Sequence, residues 1–116
     1  MRWDSKYYCV YILTNFTKTV LYTGVTNNLQ QRITEHYIDS FNPSSFAGKY
    51  KAFYLLYYEV YDYVNNAIAR EKEIKGWRRE KKLDLIKTLN KELQFLNVEL
   101  FGVWPPENIH HRKNNK

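Results

Sequence analysis

Apolar and polar positions fall in blocks along this chain, and the blocks change period. Tyr7-Tyr8-Cys9-Val10-Tyr11-Ile12-Leu13-Thr14 is aromatic and β-branched throughout, which predicts a strand. The polar run Asn15-Phe16-Thr17-Lys18-Thr19 has hairpin length, and Val20-Leu21-Tyr22-Thr23-Gly24-Val25 resumes strand character. The period then lengthens. Leu29, Ile33 and Tyr37 recur every four residues, predicting a helix capped by Thr26 or Asn27. Residues 39–50 carry Asn42-Pro43-Ser44-Ser45 and Gly48, which is loop chemistry.

Ala52 to Tyr61 shows little alternation, which predicts a third strand covered on both faces and central in its sheet. A second helix is expected over residues 67–79, capped by Asn65 or Asn66. A shorter third one is expected over 81–89 from the spacing of Leu85, Ile86 and Leu89. The stretch through Trp104-Pro105-Pro106 predicts no element, and the proline pair ends the segment before it. His110 to Lys116 reads as a loose basic tail. The expected architecture is α+β: a small three-stranded, mainly antiparallel sheet flanked by helices, with a domain over 1–97 and an extension over 98–116.

Composition narrows this picture. A chain of 116 residues holds one modest core and has no room for two. Its hydrophobic share of 44% is ordinary for a folded domain, whereas the aromatic share of 17%, with eleven Tyr, suits half-wet binding faces. The single Cys9 excludes an internal disulfide and fits a reducing cytoplasmic setting, where it reads as a small buried hydrophobe. No apolar stretch approaches the roughly 20 residues that span a bilayer, so no membrane partner is expected.

The net charge of +6 is uneven. Residues 1–66 hold six basic and five acidic side chains. Residues 67–91 hold nine basic ones (Arg70, Lys72, Lys75, Arg78, Arg79, Lys81, Lys82, Lys87, Lys91) against four acidic. Such a segment is the footprint of a phosphate-backbone binder, or else a solvated helix face with Glu/Lys pairs.

Candidate chemistry comes from four places. Tyr11 and Tyr22 lie on adjacent strands of the expected hairpin and would sit side by side. Arg32 and His36 are one helical turn apart and project from one side, beside the Leu29–Ile33–Tyr37 stripe. Glu71 falls four residues after Ala67 and three before Ile74, on the stripe that should face the sheet. A carboxylate there is costly unless it is paired or holds a cation, so Glu71 reads either as a Mg²⁺ ligand or as the partner of Arg32 or a lysine. Gly24 marks a close backbone approach or simply a turn.

These residues, taken in order, resemble the GIY-YIG nuclease superfamily, in particular its short bacterial members, which are similar to the N-terminal catalytic domain of the excision-repair incision nuclease. Cys9-Val10-Tyr11 stands at the first triplet and Tyr22-Thr23-Gly24 at the second, with Cys9 replacing Gly and Thr23 replacing Ile. Arg32 and His36 follow at the expected interval. Ala69-Arg70-Glu71-Lys72-Glu73-Ile74-Lys75-Gly76-Trp77 resembles the helix that carries the metal-binding Glu. Leu89-Asn90-Lys91-Glu92-Leu93 resembles the closing segment, with Lys91 in place of the usual Pro. The resemblance covers residues 6–97.

What it implies is a metal-dependent cut of a DNA phosphodiester, structure-specific and linked to repair or recombination, with RNA still open. Glu71 would hold one Mg²⁺ or Mn²⁺, and Tyr11 would assist deprotonation of the attacking water, with His36 as a relay. Tyr22 would orient the phosphate or water, and Arg32 would neutralise developing charge. Gly24, Arg70, Lys72, Lys75, Arg78, Arg79 and Asn90 would approach DNA, and a companion protein could supply the substrate. Two alternatives stand beside it: a module that keeps the fold and binds nucleic acid without cutting, and a protein-interaction domain using its tyrosines.

Overall fold

The computed structural model describes residues 6–106. In chain order they form β1 (Tyr8–Thr14), β2 (Leu21–Thr26), α1 (Leu29–Asp39), α2 (Phe46–Tyr50), β3 (Tyr54–Tyr61), α3 (Val64–Lys75), α4 (Arg79–Leu89) and α5 (Asn97–Phe101). The three strands make one antiparallel sheet in the order β2-β1-β3, the expected α+β class.

β1 is therefore the central strand, and the expectation that β3 lies in the middle is corrected. The missing alternation in β3 has another cause. Both of its faces are covered by helices and by the segment after α4, and that segment also seals part of its free edge. Asn97, 1% exposed, accepts from the Leu55 N–H (2.7 Å) and donates to the Phe53 carbonyl (3.0 Å), while the Leu96 N–H donates to the Leu55 carbonyl (2.8 Å). A side-chain amide can satisfy an edge strand as another strand would.

Strand alternation divides the core in two. Val10 and Ile12 point to one face and pack with Leu56, Tyr57, Ala67 of α3, Ile74 of α3 and Ile86 of α4. Cys9, Tyr11 and Leu13 point to the other and pack with Leu29 and Ile33 of α1 and Leu55. Cys9 is fully buried, as a small hydrophobe should be, and burial pushes its thiol up to about 12. Leu96, Leu100, Phe101 and Trp104 close this second face. The described part of the expected 98–116 extension thus packs on the sheet, while His110 to Lys116 lies outside the described residues.

Helix boundaries differ from expectation where capping chemistry is read too simply. α1 is capped by Asn28, whose side chain accepts from the Gln31 N–H at 3.0 Å, and Thr26 instead accepts from the Asn28 N–H. α3 begins at Val64 without a side-chain cap, so neither Asn65 nor Asn66 caps it. The 39–50 loop contains the five-residue α2, capped by Ser45, too short to show a period. None of the described helices is long and apolar enough to cross a membrane.

Candidate nuclease site on the β1–β2 hairpin

The hairpin register places Tyr11 directly opposite Gly24, and Tyr22 opposite Leu13, on the same sheet face. The Tyr11 and Tyr22 rings lie with centroids 6.2 Å apart. Gly24 is required by space: a Cβ there would fall on the phenolic end of Tyr11, with its Cζ only 2.5 Å away. The close approach expected at Gly24 is thus met, and it is made by a side chain of this chain.

α1 brings the next two groups. Arg32 faces both phenols, and its guanidinium also pairs with Glu35 at 3.0 Å, with both side chains near half exposure. Beside it, a small cleft of about 160 Å³ is lined by Thr26, Asn27, Asn28, Gln31, Arg32 and Glu35. A larger one, about 440 Å³, lies on the far side of β3 and contains, of the expected site residues, only Asn90. His36 is 6% exposed and sets its ring edge-on to Tyr22 at 5.0 Å, with its Nε2 lacking a hydrogen-bond partner.

The electrostatics set the charge states of two of these groups. Burial, then the neighbouring Tyr22, drives the Tyr11 phenol well above its ordinary range, and the Arg32 charge that pulls it down does not prevail. Tyr11 is a neutral phenol in the free protein, a hydrogen-bonding group and not a ready base. Burial, reinforced by the Arg32 charge, lowers His36 to about 4. The buried neutral imidazole packs edge-on against Tyr22 with its Nε2 free of a hydrogen-bond partner.

A pH effect follows from His36. Unfolded, its imidazole takes a proton as pH falls through about 6.5, while the folded site refuses it until about 4. Its neutral-state contribution is therefore complete above pH 6.5 and declines from there to pH 4, by about 3 kcal/mol in total. Urea denaturation of His36→Gln should show a shallower loss of stability between about pH 6.5 and 5 than the unmodified chain. An unchanged slope would contradict the assignment.

Glu71 occupies the sheet-facing stripe as expected: Ala67 and Ile74 are fully buried and the Glu71 side chain is 15% exposed. Its ion pair is with Lys75, one turn on, at 3.0 Å, so the lysine alternative is met and the Arg32 one is not. Among the described residues no hydrogen bond or ion pair joins Glu71 to Tyr11, Tyr22, Arg32 or His36. The structure gathers those four on one face of the sheet, and α3 packs on the β1–β2 hairpin from the other.

The expected DNA contacts divide. Arg70 is held internally: its Nε and Nη2 both donate to the Glu59 carboxylate at 3.0 Å, its Nη1 reaches Glu73, and its plane lies over Trp77. Tyr57 and Tyr61 donate to the same carboxylate, which stays below the usual range because, although burial raises it, Arg70 and the two phenols outweigh burial. Arg79 donates to the Lys18 and Thr19 carbonyls of the hairpin loop, and Lys75 pairs with Glu71. Asn90, 7% exposed, ties the Leu56 and Gln94 carbonyls and the Gln94 N–H together, which makes it a fastener of β3. Lys72 and Arg78 are exposed. Trp77 packs, partly buried, against the first core cluster, with Lys81 over its ring.

The antiparallel hairpin presents paired phenols and an arginine on an α+β scaffold, and the comparison with known families identifies that scaffold. The model of the GIY-YIG catalytic domain matches residues 7–84, and the chain belongs to this nuclease family. It is similar to the UPF0213 protein of Syntrophus aciditrophicus, 39% identical over 72% of this chain and 92% of that one. It is also similar to the UPF0213 protein of Haloquadratum walsbyi, 33% identical over 70% of this chain and 88% of that one. The solution NMR structure of a UPF0213 protein from Bacillus halodurans shares the fold at a TM-score of 0.50, with 24% identity over 79% of this chain and 95% of that one.

Nucleases of this kind imply a divalent cation. Among the described residues no three His, Cys, Asp or Glu side chains gather to ligate one. Glu71 offers a single hard oxygen donor, shielded on the sheet side and paired only with a flexible lysine. That donor set fits Mg²⁺ or Mn²⁺, which keep several waters and take substrate phosphate oxygens.

Proposed function

We propose that this chain is a metal-dependent endonuclease that hydrolyses phosphodiester bonds in DNA, acting on particular DNA structures in repair or recombination. The observation that carries this reading is the Tyr11–Tyr22–Arg32 group, with Gly24 leaving room for the Tyr11 phenol. Two phenols and a forked cation offer donors to phosphate oxygens and to a water beside them. Glu71 would hold the cation, which supplies Lewis-acid polarisation of the phosphate when bound.

In this scheme Arg32 stabilises the charge that grows on the non-bridging oxygens, and Tyr22 orients the phosphate. Tyr11 positions the attacking water through its phenol, and His36 holds the Tyr22 ring in place. Exposed Lys72 and Arg78 contribute sequence-independent attraction to the DNA backbone.

Arg32→Ala is the direct test of the phosphate-facing half. Its pair with Glu35 is exposed, so the fold should lose less than about 1 kcal/mol. Cleavage should fall on the order of 10²- to 10³-fold in kcat, the scale of losing one preorganised charge donor. Unchanged cleavage by a folded Arg32→Ala chain would contradict the assignment. A non-cutting binding module predicts salt-sensitive DNA binding and no product from either protein.

A further inference from the structure

The candidate site does not end at Tyr22. Its ring meets Phe46 of α2 at 5.5 Å, and Phe46 meets Tyr50 at 4.6 Å, so the aromatic row runs Tyr11, Tyr22, Phe46, Tyr50 out of the core. Its inner end is buried, with Tyr11 1% exposed, and its outer end is not, with Phe46 49% and Tyr50 37% exposed. Phe46 and Tyr50 are four residues apart and share one side of α2, whereas Ala47, 5% exposed, anchors the helix.

This ledge is firmly built. Ser45 accepts from the Gly48 N–H at 2.9 Å, and Lys51 donates to the Ser40 carbonyl at 2.7 Å. Gly48 packs so closely on Asn42 and Pro43 that a Cβ there would overlap their backbone. Lys49 places its ammonium 5.2 Å from the Tyr50 ring centroid, adding positive charge where a phosphate backbone would pass. Two half-exposed rings on a hydrogen-bonded helix, in contact with the Tyr11–Tyr22 pair, are costly to leave in water unless something covers them.

We propose that Phe46 and Tyr50 form a stacking platform for an unpaired base flanking the scissile phosphate, so that the substrate class is DNA with unpaired nucleotides and not intact duplex. A base inside a duplex has both faces covered by its neighbours and shows only its edges, which an aromatic face cannot use. An unstacked base offers its π-face to Phe46 while its phosphate lies at Arg32, one ring away. Stacking of this kind tolerates any base, consistent with readout of structure over sequence. The proposal rests on the nuclease reading of Tyr11, Tyr22 and Arg32 and assigns the nucleotide next to them.

The test is binding in EDTA, where no cut occurs, measured by fluorescence anisotropy on labelled oligo-dT, a duplex with a single-stranded flap, and a blunt duplex. Replacing both rings with leucine (Phe46→Leu with Tyr50→Leu) keeps apolar bulk and removes the π-faces. Oligo-dT and flap binding should weaken about tenfold or more, the scale of one lost base stack, with blunt-duplex binding unchanged. Phe46→Trp should bind the flap as the unmodified chain does, and aminopurine at the first unpaired position should be quenched by both but not by the leucine variant. If the leucine variant fails to fold by circular dichroism, aminopurine quenching by the unmodified chain and Phe46→Trp decides: its absence from both overturns the platform. Equal weakening on all three DNAs, or none on any, also overturns it. Flap preference in a chain that never cuts removes the nuclease reading and leaves the platform. Glu71-dependent cutting without preference for unpaired DNA does the reverse.

Discussion

Glu71→Gln is expected to lower Mg²⁺-dependent cleavage by about 10³-fold or more, because it removes the carboxylate proposed to hold the cation. The fold should barely register the change. Glutamine preserves the shape on the sheet-facing stripe, and the lost Lys75 pair, between residues one turn apart, is worth about 0.5 kcal/mol or less. Lys75→Ala provides the control. It breaks the same ion pair and leaves the carboxylate, so its cleavage should remain close to that of the unmodified chain. If Glu71 served only that pair, the two variants would behave alike. Single-turnover cleavage rates, with urea midpoints for each protein, separate the cases.

Gly24→Ala should be the most damaging small substitution in the hairpin. The added methyl would overlap the Tyr11 phenol, so either the ring must leave its place or β2 must shift against β1. Overpacking of this kind costs about 1–3 kcal/mol. Displacing the phenol from Arg32 should also reduce cleavage on the order of 10²-fold, since a misplacement near roughly 1 Å has that effect on a preorganised site. A double-mutant cycle isolates the cause. In a Tyr11→Ala background the space is open, and Gly24→Ala should then cost much less stability than in the unmodified chain. Equal cost in both backgrounds would place the strain elsewhere.

Much of this arrangement is legible in the sequence, because it depends on local period. The β1–β2 hairpin, the Arg32 and His36 side of α1, burial of Cys9 and the inward position of Glu71 all follow from residue type and spacing. What the sequence leaves out is the set of partners distant in the chain. Arg70 reads as a phosphate contact only while charge is counted without Glu59, eleven residues upstream on β3, whose carboxylate takes its guanidinium. Asn90, which by resemblance would approach DNA, also donates its amide to the Leu56 carbonyl of β3, 34 residues upstream. β3 reads as central because its edge is sealed from far along the chain, by Asn97, which lies 42 residues after Leu55.

Tyr11 shows the same limit in its chemistry. By resemblance it would assist deprotonation of water, but only the packed structure shows burial outweighing the nearby Arg32 charge. The Phe46–Tyr50 ledge is hidden for a related reason. α2 is too short to carry a period, and its exposed rings acquire meaning only from contact with Tyr22.

The central claim is that Glu71 and the Tyr11–Tyr22–Arg32 group serve one hydrolytic site, although α3 and α1 pack on opposite faces of the sheet. The most direct measurement is cleavage of single-stranded, flapped, branched and nicked DNA by the unmodified chain and by Glu71→Gln, each with Mg²⁺ and with EDTA. The account predicts product from the unmodified chain with Mg²⁺ on at least one DNA bearing unpaired nucleotides, and none from Glu71→Gln or in EDTA. Equal product from both proteins, or no product from the unmodified chain on any of these DNAs, would contradict it.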